Sequence, residues 1–341
     1  ALFHALAVIV VTCPCALGFA TPLAVWTGIA RLRDLGFLAR SGDAIERLAD
    51  IDTIVFDKTG TLTAPEQYQV SWSLAPAWQG REPLLRALLR EAELASGHPL
   101  ARALAPLWTG QDLASGVRLR AIRIVAGAGI EAQLEDSQRV RTLFAGVREG
   151  RRLLVEIDGE LAAAIELTEV LHDGVAPMVT ELETAGVGVY LSTGDADERA
   201  RAVPIGRRMS SQSPLDKHRF IQHLDARRQQ VLFVGDGLND TAAMAWSHAS
   251  VAAAHAPAAV RETADLLALE SGFSQLPAAL RIARQTTALI RSNIYVSLAY
   301  NAIGVALAFL GWLHPVTAAL LMTVSSLAVI LRSMQLLEEK P

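Results

Sequence analysis

Between Ala1 and Ala30 the chain carries no Lys, Arg, Asp or Glu, and the run breaks only at Arg31-Leu32-Arg33-Asp34. A second charge-free run covers Ser292 to Leu313, and a third covers Pro315 to Leu331, ending at Arg332. At about 1.5 Å of helical rise per residue, each is long enough to cross roughly 30 Å of hydrocarbon. The competing reading is three buried core helices, but such helices seldom run this far without a charge. Membrane helices are therefore expected at 1–30, 292–313 and 315–332, followed by a tail at 333–341.

Basic residues flank these runs on one side only. Arg31, Arg33 and Arg40 follow the first, Arg281, Arg284 and Arg291 precede the second, and Arg332 and Lys340 follow the third. The turn at Trp312-His314 carries no Lys or Arg. The positive-inside rule makes the basic side cytoplasmic, so the long middle of the chain is a cytoplasmic insertion between two spans. This topology starts Ala1 on the far side without an initiator Met or a basic leader, so upstream membrane segments are expected to precede it. Membrane lipid is then an obligatory partner. A formal charge of −4 gives no basic footprint, and no nucleic-acid partner is expected. The two cysteines, Cys13 and Cys15, sit too close in sequence to pair comfortably and read as reduced thiols.

The insertion reads as α/β. Ile51 to Phe56, Val187 to Leu191 and Val231 to Val234 are short apolar runs, each ending in a turn rich in Gly and Asp. Buried strands of this kind, alternating with helical stretches, predict a parallel sheet with crossover helices. Ligands bind such sheets beyond the carboxyl ends of the strands, where all three turns fall. Between Pro65 and about Ala164 the pattern changes to Gly-rich turns, with a helical segment from Pro83 to Leu94. A second domain inserted at 64–164 is expected there, splitting the first into 31–63, which includes a linker, and 165–285.

Chemistry gathers at the three turns. Asp57-Lys58-Thr59-Gly60-Thr61-Leu62-Thr63 directly follows the first strand. A carboxylate there suits a phosphoryl nucleophile, and the turn's backbone N–H groups suit phosphate oxygens. The second turn is Thr193-Gly194-Asp195 and the third is Gly235-Asp236-Gly237-Leu238-Asn239-Asp240. Asp236 and Asp240, with Asp57, supply oxygen ligands of the kind Mg²⁺ takes. Lys217 can neutralise charge on a transferring phosphate. Gly and Asp dominate ordinary turns, so any one of these would mean little. Their joint occurrence at three strand ends is the signal.

The first apolar run holds Cys13-Pro14-Cys15 at its centre. Proline removes a helix hydrogen bond, so the helix should unwind locally and set two sulfurs beside freed carbonyls. Thiolates select Cu(I) and also bind Zn²⁺. A divalent ion in hydrocarbon favours a carboxylate, and no Asp or Glu occurs in any of the three runs. Tyr300 and Asn301 in the second run, and Met322, Ser325 and Ser326 in the third, are the other polar candidates. Their bland alternative is helix packing.

Asp57 to Thr63 matches the phosphorylation motif of P-type ATPases letter for letter, and the other two turns match that family's further phosphorylation-domain motifs. The chain resembles the heavy-metal, or CPx-type, branch of that family. The Cys-Pro-Cys, Tyr-Asn and Met-x-x-Ser-Ser set resembles its copper(I) exporters, whereas zinc and cadmium pumps normally carry an Asp in the last span. The resemblance implies a haloacid-dehalogenase-like phosphorylation domain, an inserted α+β nucleotide-binding domain, ATP and Mg²⁺ as cofactors, and Cu⁺, with Ag⁺ beside it, as transported ion.

It implies Asp57 as the phosphorylated residue, with Lys58, Thr59, Thr193, Gly194, Asp195, Lys217 and Asn239 around it. Mg²⁺ would be held by Asp57, Thr59, Asp236 and Asp240, and Cu⁺ by Cys13, Cys15, Tyr300, Asn301, Met322 and Ser326. His98-Pro99 and Gly127-Ala128-Gly129 resemble the family's adenine contacts, although Ser96-Gly97 stands where many relatives carry Ser-Glu. Related phosphatases carry an acid/base Asp where this chain has Thr59, which argues for a pump with a long-lived aspartyl phosphate. The family's actuator domain bears Thr-Gly-Glu, a tripeptide not found here. The resemblance thus implies a C-terminal fragment able at best to form the phosphoenzyme, with the N-terminal half and a copper chaperone as partners, in a bacterial inner membrane. The rivals are a zinc or cadmium pump, a membrane-anchored phosphatase, and a non-catalytic metal-binding membrane protein.

Overall fold

The computed structural model describes residues 6, 8–9, 15–96, 117–125, 129–136, 139–148, 152–269 and 273–335. In chain order the strands are β1 (Phe37–Ala39), β2 (Thr53–Asp57), β3 (Thr63–Leu74), β4 (Arg118–Val125), β5 (Gly129–Asp136), β6 (Arg139–Arg148), β7 (Arg152–Ile157), β8 (Glu160–Leu171), β9 (Gly188–Ser192), β10 (Arg207–Met209), β11 (Val231–Gly235), β12 (Ala249–Ala252) and β13 (Leu266–Ala268). They form two sheets in two compact units, one spanning Thr63–Leu171 and the other made of Ala1–Leu62 with His172–Pro341.

The first sheet runs β1-β13-β12-β11-β2-β9-β10. Every pairing is parallel except β1 with β13, which is antiparallel. Residues 37–39, within the stretch expected to hold a linker, therefore close one sheet edge. Strands β2 and β11 are buried at every position, as strands covered on both faces must be. Chain order reverses about β2, with β9 and β10 laid down on one side and β11 to β13 on the other. The crevice at such a reversal is where open parallel sheets bind ligands.

The second unit is a six-stranded antiparallel sheet in the order β3-β8-β7-β6-β5-β4. Helix Glu82–Ser96 packs Leu85, Leu88, Leu89 and Ala92, spaced as one helical face, onto Leu143, Leu153, Val155 and Ile165. The unit reaches Leu171, beyond the boundary expected at 164, because β8 pairs with β3 until Leu171 lies opposite Thr63.

Each of the three stretches expected to cross a membrane holds a helix, with limits that differ from those of the charge-free runs. In the first, residues 6 and 8–9 and helix Cys15–Asp34, which contains Pro22, are described. The unwinding expected at Pro14, and Cys13 itself, lie outside the described residues. The second is not confined to 292–313. Its helix starts at Leu276 and runs unbroken to Phe309, because charges such as Arg281, Arg284 and Arg291 mark a change of surroundings without ending a helix. The third runs Pro315–Gln335, with Pro at the position where a helix tolerates it. Helices Leu276–Phe309 and Pro315–Met334 are long and apolar enough to cross a membrane. Their large side chains face outward, Phe309 being 82% exposed and Leu298 65%, the reverse of a soluble core helix.

Gly129 shows what the second sheet demands of its backbone. It opens β5 at φ +144°, and a Cβ there would collide with the Ala145 carbonyl oxygen and Gly146 Cα of β6. Gly129→Ala is expected to lose roughly 1–3 kcal/mol, with or without nucleotide, read as a lower urea midpoint for the whole chain.

Candidate functional site

The carboxyl ends of β11, β2 and β9 lie side by side and set Asp236, Asp57 and Thr193 on one rim. Asp57 is the last residue of β2 and is only 6% exposed. Asp57, Asp236 and Asp240 each offer a carboxylate oxygen within 4.8 Å of the others. Two glycines make this density achievable. A Cβ on Gly60, which sits at φ +72°, would collide with Asp236 Oδ2. A Cβ on Gly235 would lie 2.7 Å from Asp240 Oδ2. Side chains larger than hydrogen at either position would push a carboxylate out of the cluster.

Lys217 reaches the cluster from a helix whose start is locally fixed. In helix Pro214–Ala226 the Ser213 Oγ accepts from the Asp216 N–H at 3.2 Å, and Asp216 Oδ2 accepts from the Ser213 N–H at 3.1 Å. This capping box, with Pro214 behind it, sets the helix origin and hence the direction of Lys217 one turn in. Its ammonium donates to Asp57 Oδ1 at 2.5 Å and to Asp240 Oδ1 at 2.8 Å. Beside it, buried Lys58 donates to Asp195 Oδ2 at 2.5 Å, and the Asp195 N–H donates to Thr193 Oγ1 at 3.1 Å. The cations and carboxylates thus alternate across the three strand ends.

Protonation follows from burial and crowding. Desolvation first, then the Asp240 and Asp236 charges, push Asp57 up to about 7 against the pull of Lys217. Asp236 is raised by desolvation and Asp240, with His255 opposing. Desolvation pulls Lys217 down, but Asp57 and Asp240 outweigh it and hold its pKa above the ordinary lysine value. The site keeps its lysine charged and its carboxylates crowded. A divalent cation entering it would meet three hard oxygen donors, which is the donor set Mg²⁺ takes. Buried Thr61 Oγ1 has no hydrogen-bond partner among the described residues, a further oxygen ready for a ligand.

Of the residues singled out from the sequence, Asp57, Lys58, Thr193, Asp195, Lys217, Asp236 and Asp240 meet here. Thr59, Gly194 and Asn239 are exposed beside them. His98, Pro99 and Gly127 lie outside the described residues, as does the Cys15 side chain. Gly129 is placed at the start of β5. Tyr300, Asn301, Met322 and Ser326 are half-buried on the two C-terminal helices, both of which pack along helix Cys15–Asp34. Ser326 Oγ has no hydrogen-bond partner among the described residues. The sequence reading missed His255, whose Nε2 lies 3.3 Å from Asp236 Oδ2. A lone His in the stretch Ala252-Ala253-Ala254-His255-Ala256 carries no motif, and only the pairing of β11 with β12 brings it to the rim.

The model for haloacid dehalogenase-like hydrolases matches residues 51–248, more than half of the chain. The probable cation-transporting ATPase of Haemophilus influenzae is 31% identical over 98% of this chain and 49% of its own length. The copper-exporting P-type ATPase of Bacillus subtilis is also 31% identical, over 98% of this chain and 44% of its own. The crystal structure of a zinc-transporting PIB-type ATPase in its E2.Pi state superposes with a TM-score of 0.82 at 27% identity, covering 96% of this chain and 56% of that one. The chain spans about half the length of the curated relatives it matches. It belongs to the haloacid dehalogenase-like hydrolase family and has the fold of that family's P-type ATPases.

Proposed function

We propose that this chain is the C-terminal part of an ATP-hydrolysing heavy-metal translocase that exports copper(I) through an aspartyl phosphate on Asp57. The observation that carries the reading is the buried Asp57 at a strand end, held at 2.5 Å by Lys217 with Asp236 and Asp240 within ligand reach. An Asp57 oxygen attacks the γ-phosphorus of ATP, the bond from that phosphorus to the β–γ bridging oxygen breaks, and ADP leaves. Lys217 offsets the charge on the transferring group, while Thr193 and the turn of exposed Thr59 and half-buried Gly60 lie beside it. Asp57, Asp236 and Asp240, with Thr59, would hold Mg²⁺, which when bound neutralises phosphate charge and orients the group for in-line attack. Thr59 leaves the chain without a carboxylate two residues past the nucleophile, where related phosphatases carry their acid/base Asp, so slow hydrolysis of the acyl phosphate is expected.

The cargo reading rests on Cys13-Pro14-Cys15, on charge-free spans, and on similarity to a relative named as copper-exporting. Tyr300, Asn301, Met322 and Ser326 complete the proposed path. The zinc reading stands second, because a zinc-transporting structure superposes over almost the whole chain. The proposed setting is a bacterial inner membrane with the phosphorylation unit and C-terminus cytoplasmic. The upstream half of the pump and a copper chaperone are the proposed partners.

With γ-labelled ATP and Mg²⁺, wild-type chain is expected to take up acid-stable, hydroxylamine-labile phosphate, and Asp57→Asn to fall to background. Equal labelling of the two removes the assignment. In the complete pump, Cu(I) and Ag(I) are expected to stimulate ATPase activity more than Zn²⁺, and Ser at both 13 and 15 to abolish that stimulation. A larger response to Zn²⁺ transfers the assignment to the second reading.

Metal binding has a pH signature. Asp57, with its pKa near 7, is protonated at pH 5.5 and ionised at pH 8, so a cation must displace a proton at the lower pH. Mg²⁺ at tenfold its Kd is expected to add about 1.4 kcal/mol at pH 8, roughly 3–5 °C in Tm. The gain should shrink markedly at pH 5.5. An equal shift at both values contradicts the placement of Asp57 in the metal set.

A further inference from the structure

On the far side of the α/β unit from these carboxylates, a cavity of about 540 Å³ opens where helix Leu276–Phe309 leaves that unit. Asp50, Arg284, Thr287, Arg291, Ser292 and Tyr295 line it, with Ala49, Ala288 and Val296. Arg284 and Arg291 are seven residues apart, two turns along one helical face. Arg284 is tied to the unit through Ile51 O at 2.8 Å and Ala49 O at 3.4 Å, so its guanidinium is held in place. Arg291 is 66% exposed, and its contact with Asp50 is long at 3.9 Å, a solvated pair of little energetic weight. Two arginines against one aspartate leave the cavity cationic, and the hydroxyls of Ser292 and Thr287 add donors.

The depth of this cavity is set by the helix. Arg291 is its last charge before the charge-free run from Ser292 to Leu313. One turn on, Tyr295 is 70% exposed, followed by Val296 at 48% and Leu298 at 65%. An exposed tyrosine between arginine and an outward apolar surface marks the level of lipid headgroups. We infer that this cavity binds the headgroup of an anionic glycerophospholipid, the phosphate lying against Arg291 and Arg284 and an acyl chain covering Tyr295 and Val296. A free phosphate would satisfy the arginines but make no use of Tyr295 and Val296 on the same wall, so the lipid is the better occupant. The inference rests on the membrane reading given above.

The test offers the detergent-purified chain equimolar dioleoylphosphatidylglycerol and dioleoylphosphatidylcholine, and counts retained lipid by native mass spectrometry. Wild type is expected to favour the anionic lipid about fivefold. Arg291→Gln should bring the ratio near unity while Asp57 phosphorylation stays unchanged, and Arg291→Lys should keep part of the preference. Arg332→Gln, on the other C-terminal helix, should leave the ratio intact. Inorganic phosphate at tens of millimolar should not displace the lipid. Equal retention in wild type, an unchanged ratio in Arg291→Gln, or displacement by phosphate each overturns the site. Flotation with vesicles separates the two readings. A chain that stays out of the bilayer overturns both, whereas one that inserts without headgroup preference overturns the lipid site alone.

Discussion

The Lys217 ammonium between Asp57 and Asp240 is the contact on which the rest of this site depends. Three carboxylates lie within mutual ligand distance, with Asp57 and Asp240 buried, and their repulsion is relieved by the cation among them and by the raised pKa of Asp57. Such a cluster is weak evidence for stability, since desolvation consumes most of the Coulomb gain. Removing one partner from a buried pair typically costs about 3–5 kcal/mol, so the arrangement is fragile as well as expensive. A fold that keeps it has a use for charge held in a dry place. Phosphoryl transfer is such a use, because fixed charges gain strength where water is excluded.

The sheet makes this possible by geometry more than by sequence distance. Lys217 and Asp57 are 160 residues apart, and Lys58 and Asp195 are 137 apart. The parallel order β11-β2-β9 brings their strand ends together, and the glycines at 60 and 235 let the carboxylates approach. The Thr63–Leu171 insertion leaves this arrangement undisturbed, because His172 N–H donates to Leu62 O at 2.9 Å and closes the gap between the two chain ends.

The site was readable in the sequence where a strand pattern ran directly into acidic turn residues. Asp57, Asp195 and Asp236 each follow an apolar run, so register and chemistry point the same way. Lys217 was readable for its motif, but its target depended on the Ser213 and Asp216 cap, which fixes the helix start. His255 and the 37–39 edge strand were opaque, because each acquires meaning only from a neighbour distant in sequence. The limits of the 276–309 helix differ from those of the charge-free run for another reason. Charge marks where the surroundings change from water to lipid, whereas helix limits depend on backbone partners and caps.

That unbroken helix has a consequence for any coupling between site and membrane. Its first turns belong to the core of the α/β unit, with Leu276, Leu280 and Ala283 buried, and its later turns present an apolar surface. Gly28 of helix Cys15–Asp34 lies so close to Thr286 that a Cβ would come within 2.7 Å of its Oγ1. Nearby, buried Asn293 donates through Nδ2 to buried Ser333 Oγ at 3.0 Å, tying in the third helix. These contacts lie at the basic end of the three helices, among Arg284, Arg291 and Arg332, and join them there through a close backbone approach and a buried hydrogen bond. A tilt of the α/β unit would therefore reach helix Cys15–Asp34 through packed backbone rather than through a flexible linker. Such a rigid connection is what the proposed phosphorylation of Asp57 needs if it is to alter the grip of the proposed thiols on an ion.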